Sequence, residues 1–332
     1  MFNRVFVEEE CFDSPQVHQL REKFSSIEFK KIDRIDHYFG RVKKPYLQKR
    51  DGLNLYIGQK RGELIKLAPP AYGLSGEPHF YYVHAYNCIY ECEYCYLQGH
   101  FDSPDLVWFI NHEEVIQAMS DKLQDFSQEK VWFHAGEFSD SLALSHLTKE
   151  LPLYHNFFKH HPQALWELRT KSVNIKEILK LSPLPNMYIS FSLSPQKESQ
   201  EIDLLTPRTS HRLKAMQELV AKGFHIAVHL DPIIHSDDFV EKYQVLISQM
   251  KEHFPLEKVA YLSLGVVRFT KDVYHQVQKN YPESRMHAQE FIKGLDGKVR
   301  YPRPMRLWML QKIKQLCLDQ GMIEKQIYLC ME

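Results

Sequence analysis

The sequence lacks several features that would place a protein in a special class. Its 332 residues carry no net charge, because 42 Lys and Arg balance 42 Asp and Glu. Overall charge therefore gives no argument for binding nucleic acid or membranes. No apolar run approaches the roughly 20 residues of a membrane-spanning helix, and the N-terminal residues contain no apolar signal core. Internal repeats and low-complexity stretches are also missing. Since the sequence shows neither a signal core nor a membrane span, we expect a cytoplasmic enzyme with no membrane partner. The oligomeric state stays open.

The composition is that of a globular protein. Hydrophobic residues make up 44% and charged residues 25%, which excludes a disordered chain and a disulfide-dense miniprotein. Three of the six cysteines crowd into residues 88–95. Without a signal peptide, such crowding indicates metal or redox chemistry rather than a disulfide framework.

A strand-and-helix rhythm begins near residue 80. Six apolar runs lie at 80–86, 131–136, 165–171, 187–193, 225–230 and 259–267. Helix-like segments separate most of them. This alternation predicts parallel pairing with right-handed crossovers. Six units are too few for a closed eight-fold barrel, so we expect an α/β fold of the partial (β/α)6 TIM-like type, with a doubly wound sheet as the competing architecture.

The predicted domain boundary lies near residue 78. Residues 1–78 are interpreted as a small N-terminal α/β extension, in which Ser14 and Pro15 begin a helix, followed by a basic, irregular linker over residues 37–64. Residues 79–332 are predicted to form the partial barrel with a C-terminal helical and strand extension.

Polar residues stand where the predicted strands end. In parallel α/β folds the functional site lies at the carboxyl ends of the strands. Each of the six strands places a polar residue there, and together they are the first site candidates: Cys88, Glu137, Ser139, Lys171, Ser192, Asp231 and Arg268.

The cysteine loop is the most specific signal. Cys88, Cys92 and Cys95 have the spacing C-x3-C-x2-C directly after the first predicted strand. Iron–sulfur cubes normally take four cysteines, so three thiolates around a [4Fe–4S] cluster would leave one iron open to a ligand that is not protein. The alternative is structural zinc, with His84 or His100 as the fourth ligand.

The loop resembles the signature of the radical S-adenosylmethionine (SAM) superfamily, C-x3-C-x-aromatic-C, with Tyr94 in the aromatic position. The resemblance implies a [4Fe–4S] cluster on the three cysteines and SAM on the open iron. One electron from a flavodoxin- or ferredoxin-type donor would cleave SAM to a 5′-deoxyadenosyl radical, which abstracts hydrogen from the substrate. The superfamily's partial barrel agrees with the strand count.

Over nearly its full length the chain resembles the spore photoproduct lyase family. The segments CEYCYLQ, FSDSLALSHL, LRTKS, ISFSLSP, DPII and RFTKDVYHQVQKNYPESR carry this resemblance in the same order. It implies repair of a thymine–thymine photoproduct in DNA, with SAM contacts from Tyr94, Ser139, Lys171 and Ser192. Tyr96 would stand on the route of hydrogen-atom transfer, with plain aromatic packing as the alternative.

The chain departs from the family after the second strand. Glu137 stands where the family has its hydrogen-donor cysteine, and a carboxyl O–H bond is too strong to replace S–H in that step. Gly136-Glu137 resembles an element in which other radical SAM enzymes bind the SAM amino group. We therefore expect Glu137 to serve SAM or the substrate and the last step to differ, with Cys317 and Cys330 as core thiols.

The substrate side is less defined. Asp231 is a substrate candidate with a turn as its alternative, and Arg268 suits a phosphate or another anion, with a structural ion pair as the alternative. Residues 41–61 and 298–306 interleave basic and aromatic residues, which suits DNA, although solvated charge runs are common. Two further hypotheses stay open: a zinc-stabilised nucleic-acid-binding protein without radical chemistry, and a radical SAM enzyme with a non-DNA substrate.

Overall fold

A computed structural model describes residues 2–69, 76–126 and 129–330. The strands, β1 to β18 in chain order, are Phe2–Glu8, Phe29–Ile32, Leu53–Gly58, Ile65–Leu67, His79–Tyr82, Ala85–Tyr86, Glu91–Cys92, Leu106–Phe109, Val131–Ala135, Ala164–Thr170, Met187–Ser192, Asp203–Leu204, His225–Ile233, Val259–Val266, Arg268–Phe269, Ile292–Lys293, Val299–Arg300 and Ile327–Leu329. The helices, α1 to α10, are Pro15–Lys23, Leu97–His100, His112–Asp125, Ser145–Thr148, Leu151–His160, Gln196–Glu201, Thr209–Ala221, Phe239–His253, Lys271–Asn280 and Arg303–Asp319. Among the helices of these residues, none combines the length and apolar character needed to cross a membrane.

The larger sheet is an open barrel. Its strand order is β18-β14-β13-β11-β10-β9-β5-β4, and every neighbouring pair is parallel except β5 with β4. From β5 to β18 the parallel strands follow their chain order without a reversal, whereas a doubly wound sheet reverses its order at a switch point. The predicted partial TIM-like barrel is therefore confirmed, with β18 as an additional parallel strand.

The sequence of β10 shows how the barrel positions its site. Trp166 and Leu168 face the apolar core under the helices, because alternate residues of a strand point to opposite faces. The intervening Glu167 and Arg169 face the barrel interior, where Arg169 lies 3.2 Å from the Glu167 carboxylate. Lys171 continues this polar row just beyond the strand and lines the cavity at the barrel's mouth.

Glu167 is fully buried at the centre of the barrel. Its carboxylate accepts hydrogen bonds from Ser190 at 2.6 Å and Tyr261 at 2.7 Å, and lies 2.8 Å from His229. Burial alone would raise the pKa of Glu167, but Arg169 and the neighbouring histidines outweigh it and hold this pKa well below its usual range. The barrel interior beneath the cavity is therefore filled by polar side chains that form hydrogen bonds and ion pairs with one another, rather than by apolar side chains.

The smaller sheet, in the order β2-β1-β3-β8-β6, corrects two expectations. Residues 53–58 were predicted to be irregular, but they form β3, whose side chains at Leu53, Leu55 and Ile57 are buried. The first apolar run was predicted as one strand over 80–86, but it divides: β5 ends at Tyr82, and β6 pairs with β8 in this smaller sheet.

The start of the chain follows its local signals. The Ser14 side chain accepts a hydrogen bond from the Val17 amide at 3.4 Å, and Pro15 is the first residue of α1. The smaller sheet takes strands from both sides of residue 78. A boundary at that residue remains a prediction, and residues 70–75 lie outside the described part of the chain.

Candidate active site

A cavity of about 530 Å³ opens at the carboxyl ends of the parallel strands. Every residue that the sequence analysis assigned to the cluster, SAM or the substrate lines it, although their roles remain predictions. These residues are Cys88, Cys92, Tyr94, Cys95, Tyr96, Glu137, Ser139, Lys171, Ser192, Asp231 and Arg268.

The cysteine loop, residues 88–98, begins with a backbone reversal. Asn87 has a φ of 62°, a left-handed conformation that asparagine tolerates better than most residues. Its side-chain amide donates to the carbonyl oxygens of Ser103 and Asp105, both at 2.7 Å. These bonds fix the point at which the chain leaves β6 and place Cys88 at the start of the loop.

A short strand pairing anchors the centre of the loop. β7, which contains Cys92, pairs antiparallel with β12, where Asp203 lies opposite that cysteine. The Tyr94 hydroxyl donates to the Asp203 carboxylate, and the same carboxylate forms a buried ion pair with Arg212 at 3.3 Å. The hydroxyl of Tyr94 is therefore fixed by Asp203, while Tyr94 also lines the cavity.

The cysteine sulfurs suit a cluster better than a single ion. Among the described residues, three ligand atoms lie within 4.8 Å of one another only at Glu8, Glu10 and Cys11, so the three loop sulfurs do not form such a compact trio. Tetrahedral zinc, with Zn–S bonds of about 2.3 Å, would hold its sulfurs about 3.8 Å apart. A cubane binds each thiolate to a different iron and needs a wider trio.

The loop thiols are protonated when no metal is bound. Burial raises the pKa of both Cys88 and Cys92, that of Cys92 to about 12. Such thiols keep their protons at neutral pH, so iron must displace the protons when it binds. The donor set of three thiols with one open side fits the [4Fe–4S] group that the sequence implied.

Neither histidine of the zinc alternative completes a site with the cysteines. Burial lowers the pKa of His84 to about 4, and its Nδ1 lies 4.0 Å from a Glu150 oxygen. His100 stacks on Phe138 with 5.3 Å between the ring centres. Within the described residues, no group of three close ligand atoms joins either histidine to the loop.

Glu137 extends from a sharp turn after β9. Gly136 has a φ of 89°, and a Cβ there would lie 2.6 Å from the Ser141 hydroxyl, so only glycine fits. The Tyr96 hydroxyl donates to the Glu137 carbonyl oxygen and lies 3.3 Å from its carboxylate. Burial raises the pKa of Glu137, while Arg169 and the Tyr96 hydrogen bond act in the opposite direction.

Lys171 supplies a positive charge beside the cysteines. Its ammonium lies 5.1 Å from the centre of the Tyr94 ring. Burial alone would lower the pKa of Lys171, but Cys92 and Asp203 outweigh burial and raise it. The side chain therefore stays cationic and can meet a carboxylate in the cavity.

Asp140 organises the wall that carries Lys171. Its carboxylate accepts from the Lys171 amide at 2.7 Å and from the Thr170 hydroxyl at 2.7 Å. It also accepts from the amides of Leu142 and Ala143 at 3.0 and 2.8 Å. One side chain thus ties the end of β10 to the loop after β9, which holds Ser139 next to Lys171.

Asp231 and Arg268 form an ion pair on the cavity wall, with 3.2 Å between Nη1 and Oδ1. A Cβ at Gly265 would lie 2.6 Å from the Asp231 carboxyl carbon, so the absence of a side chain at 265 makes room for the carboxylate. The structural ion pair considered for Arg268 is therefore present, and the pair faces the cavity at the same time.

Cys330 corrects an expectation. It was predicted to be a core thiol away from the site, but it lines the cavity. Its amide donates to the Leu264 carbonyl at 2.8 Å and extends the pairing of β18 with β14. Tyr328 faces the barrel interior, with its ring 5.9 Å from that of Tyr261, so alternation brings Cys330 to the same face.

Sequence reasoning also did not single out two charged cavity residues, Asp140 and Arg169. Arg169 carried a signal, because it lies two residues before Lys171 on the same face of a strand. Asp140 follows Ser139 directly. Lys298 begins the basic segment 298–306, which the sequence marked only as a charge run, and it also lines the cavity. Nothing local marked Cys330, since the pairing of β18 with β14 brings it to the cavity.

The basic segment 41–61 has little free charge. Lys44 pairs with Asp105, Arg50 with Glu91, and Arg61 with Glu8 and Glu10. Lys49 and Lys60 are buried. In the second segment, Arg300 pairs with Asp296 and Arg306 donates to the Tyr301 carbonyl. The first segment therefore offers few unpaired charges to a nucleic-acid backbone.

Comparisons with known proteins agree on one family. The family model for spore photoproduct lyase matches residues 1–303. The spore photoproduct lyase of Bacillus subtilis (strain 168) is 21% identical over 291 residues, which are 86% of this chain and 84% of that protein. The spore photoproduct lyase of Clostridium acetobutylicum is 18% identical over 311 residues, 91% and 90% of the two chains.

Solved structures share the fold. A spore photoproduct lyase complexed with dinucleoside spore photoproduct superposes with a TM-score of 0.84 at 18% identity, covering 99% of this chain and 98% of the other. A double mutant with bound AdoMet and dinucleoside spore photoproduct gives 0.83 at 19% identity, with the same coverage.

Proposed function

The chain belongs to the spore photoproduct lyase family of radical SAM enzymes, and on that premise we propose that it cleaves SAM reductively at a [4Fe–4S] cluster and acts on a photolesion in DNA. One observation carries the proposal: three cysteine thiols and the predicted SAM contacts line a single cavity at the barrel's mouth. The solved relatives bind AdoMet and dinucleoside spore photoproduct, which supports the same ligand classes here.

Cys88, Cys92 and Cys95 would hold the cluster and leave one iron for SAM. The bound cluster supplies one electron, received from a flavodoxin- or ferredoxin-type donor, for reductive cleavage of the sulfonium. The three loop sulfurs do not form a trio with all atoms within 4.8 Å of one another, which favours this role over zinc. The loop's anchors, Asn87 and the pairing of β7 with β12, keep the thiols in place.

The cavity wall would bind SAM through complementary charges. Lys171 is the cation for the SAM carboxylate, and Ser139 and Ser192 donate hydroxyl hydrogen bonds. Glu137 is the anion for the SAM amino group. Tyr96 bonds to Glu137 and so connects that contact to the cysteine loop.

The last step needs a hydrogen-atom donor other than Glu137. Among the described residues, Cys330 is the cavity thiol outside the cysteine loop. Burial and Asp231 raise the pKa of Cys330, so the sulfur keeps its hydrogen. Its S–H bond would break homolytically as a C–H bond forms on the substrate radical. The resulting thiyl radical would take one electron from the same external donor and a proton from solvent.

An isotope experiment tests this assignment. Reaction in D2O exchanges the thiol hydrogen, so the product of the wild-type enzyme should carry deuterium at the quenched carbon. Cys330→Ala should lose most of that label while 5′-deoxyadenosine still forms. Cys11→Ala, a buried thiol outside the cavity, is the control. Unchanged labelling in the Cys330 variant would exclude it as the donor.

A substrate assay tests the proposed function itself. Anaerobic, reduced protein is incubated with SAM and either UV-irradiated DNA or dinucleoside spore photoproduct. We expect 5′-deoxyadenosine in both cases and recovery of thymine from the photoproduct. If SAM is cleaved but no thymine appears, the enzyme acts on another substrate. If SAM is not cleaved under any condition, the radical SAM proposal is wrong.

A further inference from the structure

The cysteine loop has a buried lysine behind it. Lys49 lies in the 3-10 turn Tyr46–Arg50 and is 8% exposed. Its ammonium donates to the carbonyl oxygens of Cys88 at 3.1 Å and Tyr90 at 2.9 Å. It also lies 4.1 Å from the centre of the Tyr46 ring. A residue of the predicted basic linker is therefore packed directly against the backbone of the first cluster cysteine.

This charge has no carboxylate partner within ion-pair distance among the described residues. The nearby Glu91 is occupied by Arg50, whose guanidinium makes a forked contact with it. A buried ammonium is costly unless a negative charge lies close to it. The three cysteine sulfurs are the groups at hand that can supply one.

We infer that Lys49 is the resident counter-cation of the iron–sulfur cluster. The inference depends on the cluster of the proposed function and adds a residue to its site. A [4Fe–4S] core with three thiolates carries net negative charge and gains another on reduction. A fixed cation stabilises both states, and it stabilises the reduced one more. Lys49 therefore strengthens cluster binding and raises the reduction potential, which eases electron entry from the external donor.

The neighbouring contacts agree with such a role. Arg50 binds Glu91 in the same loop, so two consecutive linker residues hold the loop from one side. The Tyr281 hydroxyl lies 3.2 Å from Glu91 and completes that contact. The linker is thus part of the cluster's surroundings, where partners of metal ligands tune affinity and potential.

The chain offers a matched control for the test. Lys60 belongs to the same basic segment and is also 8% exposed, but its ammonium donates to the Arg61 carbonyl rather than to the loop. Lys49→Gln removes the charge and keeps amide hydrogens for the two carbonyls. Lys49→Arg keeps the charge. Lys60→Gln removes a charge from the same segment away from the cysteine loop.

Each variant is reconstituted anaerobically, and its iron and sulfide contents are measured. A redox titration monitored by electron paramagnetic resonance then gives the midpoint potential of the cluster. We expect Lys49→Gln to shift the potential to more negative values and to weaken cluster retention about 10- to 100-fold. Lys49→Arg should retain most of the wild-type potential, and Lys60→Gln should match the wild type.

Two results overturn different claims. If the wild type assembles no cluster, the proposed function fails before the role of Lys49 is tested. If the wild type assembles a cluster and folded Lys49→Gln shows the same potential and iron content, Lys49 is not its counter-cation. Should Lys49→Gln fail to fold, an unchanged potential in Lys49→Met would contradict the inference equally well.

Discussion

The cysteine loop and the small three-stranded sheet, two regions that both contribute to the cavity lining, are built differently. The loop is held from several directions, by Lys49, Arg50, Asp203, Asn280 and Ser284. The small sheet, β15-β17-β16, consists of two-residue strands and exposes Ile292, Lys293 and Leu295.

This difference teaches where the chain fixes its geometry. Buried contacts that meet from several elements define one arrangement of the cysteine loop, as a cofactor site requires. Short strands with exposed side chains have few such contacts and open more readily. Substitutions in the loop should therefore affect the cluster strongly, and those at exposed positions of the small sheet should leave it unchanged.

The largest effect is expected from the cysteines. Cys92→Ala should reduce bound iron to near zero and abolish SAM cleavage. The proposed cluster needs one cysteine on each of three irons, and the variant keeps only two of those cysteines. Iron content after anaerobic reconstitution is the measurement, and Cys11→Ala is the control. A Cys92 variant with full iron content would show that the loop does not bind the cluster.

Lys171→Met should separate SAM binding from cluster binding. Loss of a charge-assisted contact costs about 1.5–3 kcal/mol, so SAM affinity should fall about 10- to 150-fold while the iron content stays constant. Equilibrium binding of SAM measures the effect, with the exposed Lys176→Met as control. Unchanged affinity would remove Lys171 from the SAM site.

Glu137 should make SAM binding depend on pH. Burial raises the pKa of Glu137, so its carboxylate gains a proton at a higher pH than an ordinary glutamate does. Contact with the SAM amino group should be present above that pKa and be lost as the pH falls through it. Glu137→Gln should bind SAM more weakly and without this acid-side decline, and a titration series measures both. A decline that persists in the variant would assign it to another group.

The smallest effect is expected in the small sheet. Leu295 is fully exposed, and an exposed substitution usually changes the free energy of unfolding by no more than about 0.5 kcal/mol. Leu295→Ser should therefore leave thermal stability, iron content and SAM cleavage unchanged. A loss of iron in this variant would show that the two regions are coupled.

Local sequence signals predicted most of the barrel and much of the site. Apolar runs located its strands, and residues at strand ends, such as Glu137 and Lys171, proved to share one cavity. The failures came from long-range pairing. Nothing near Ala85 indicates that it leaves the barrel to pair with β8, and Cys330 reaches the cavity only through the pairing of β18 with β14.

Charge was predicted less well than hydrophobicity. The basic segment 41–61 suggested a surface for DNA, but charge counts carry no information about partners that are distant in sequence. Glu91, which binds Arg50, lies 41 residues away, and Asp105, which binds Lys44, lies 61 residues away. Lys49 changed from a candidate surface residue to a buried neighbour of the cysteine loop for the same reason.

The most direct test of the account is the metal content of the wild-type chain after anaerobic reconstitution with iron and sulfide. A cluster held by Cys88, Cys92 and Cys95 predicts about four irons and four sulfides per chain, with an absorption or paramagnetic signal that changes when SAM is added. One tightly bound zinc ion, or no metal, with no response to SAM would contradict it.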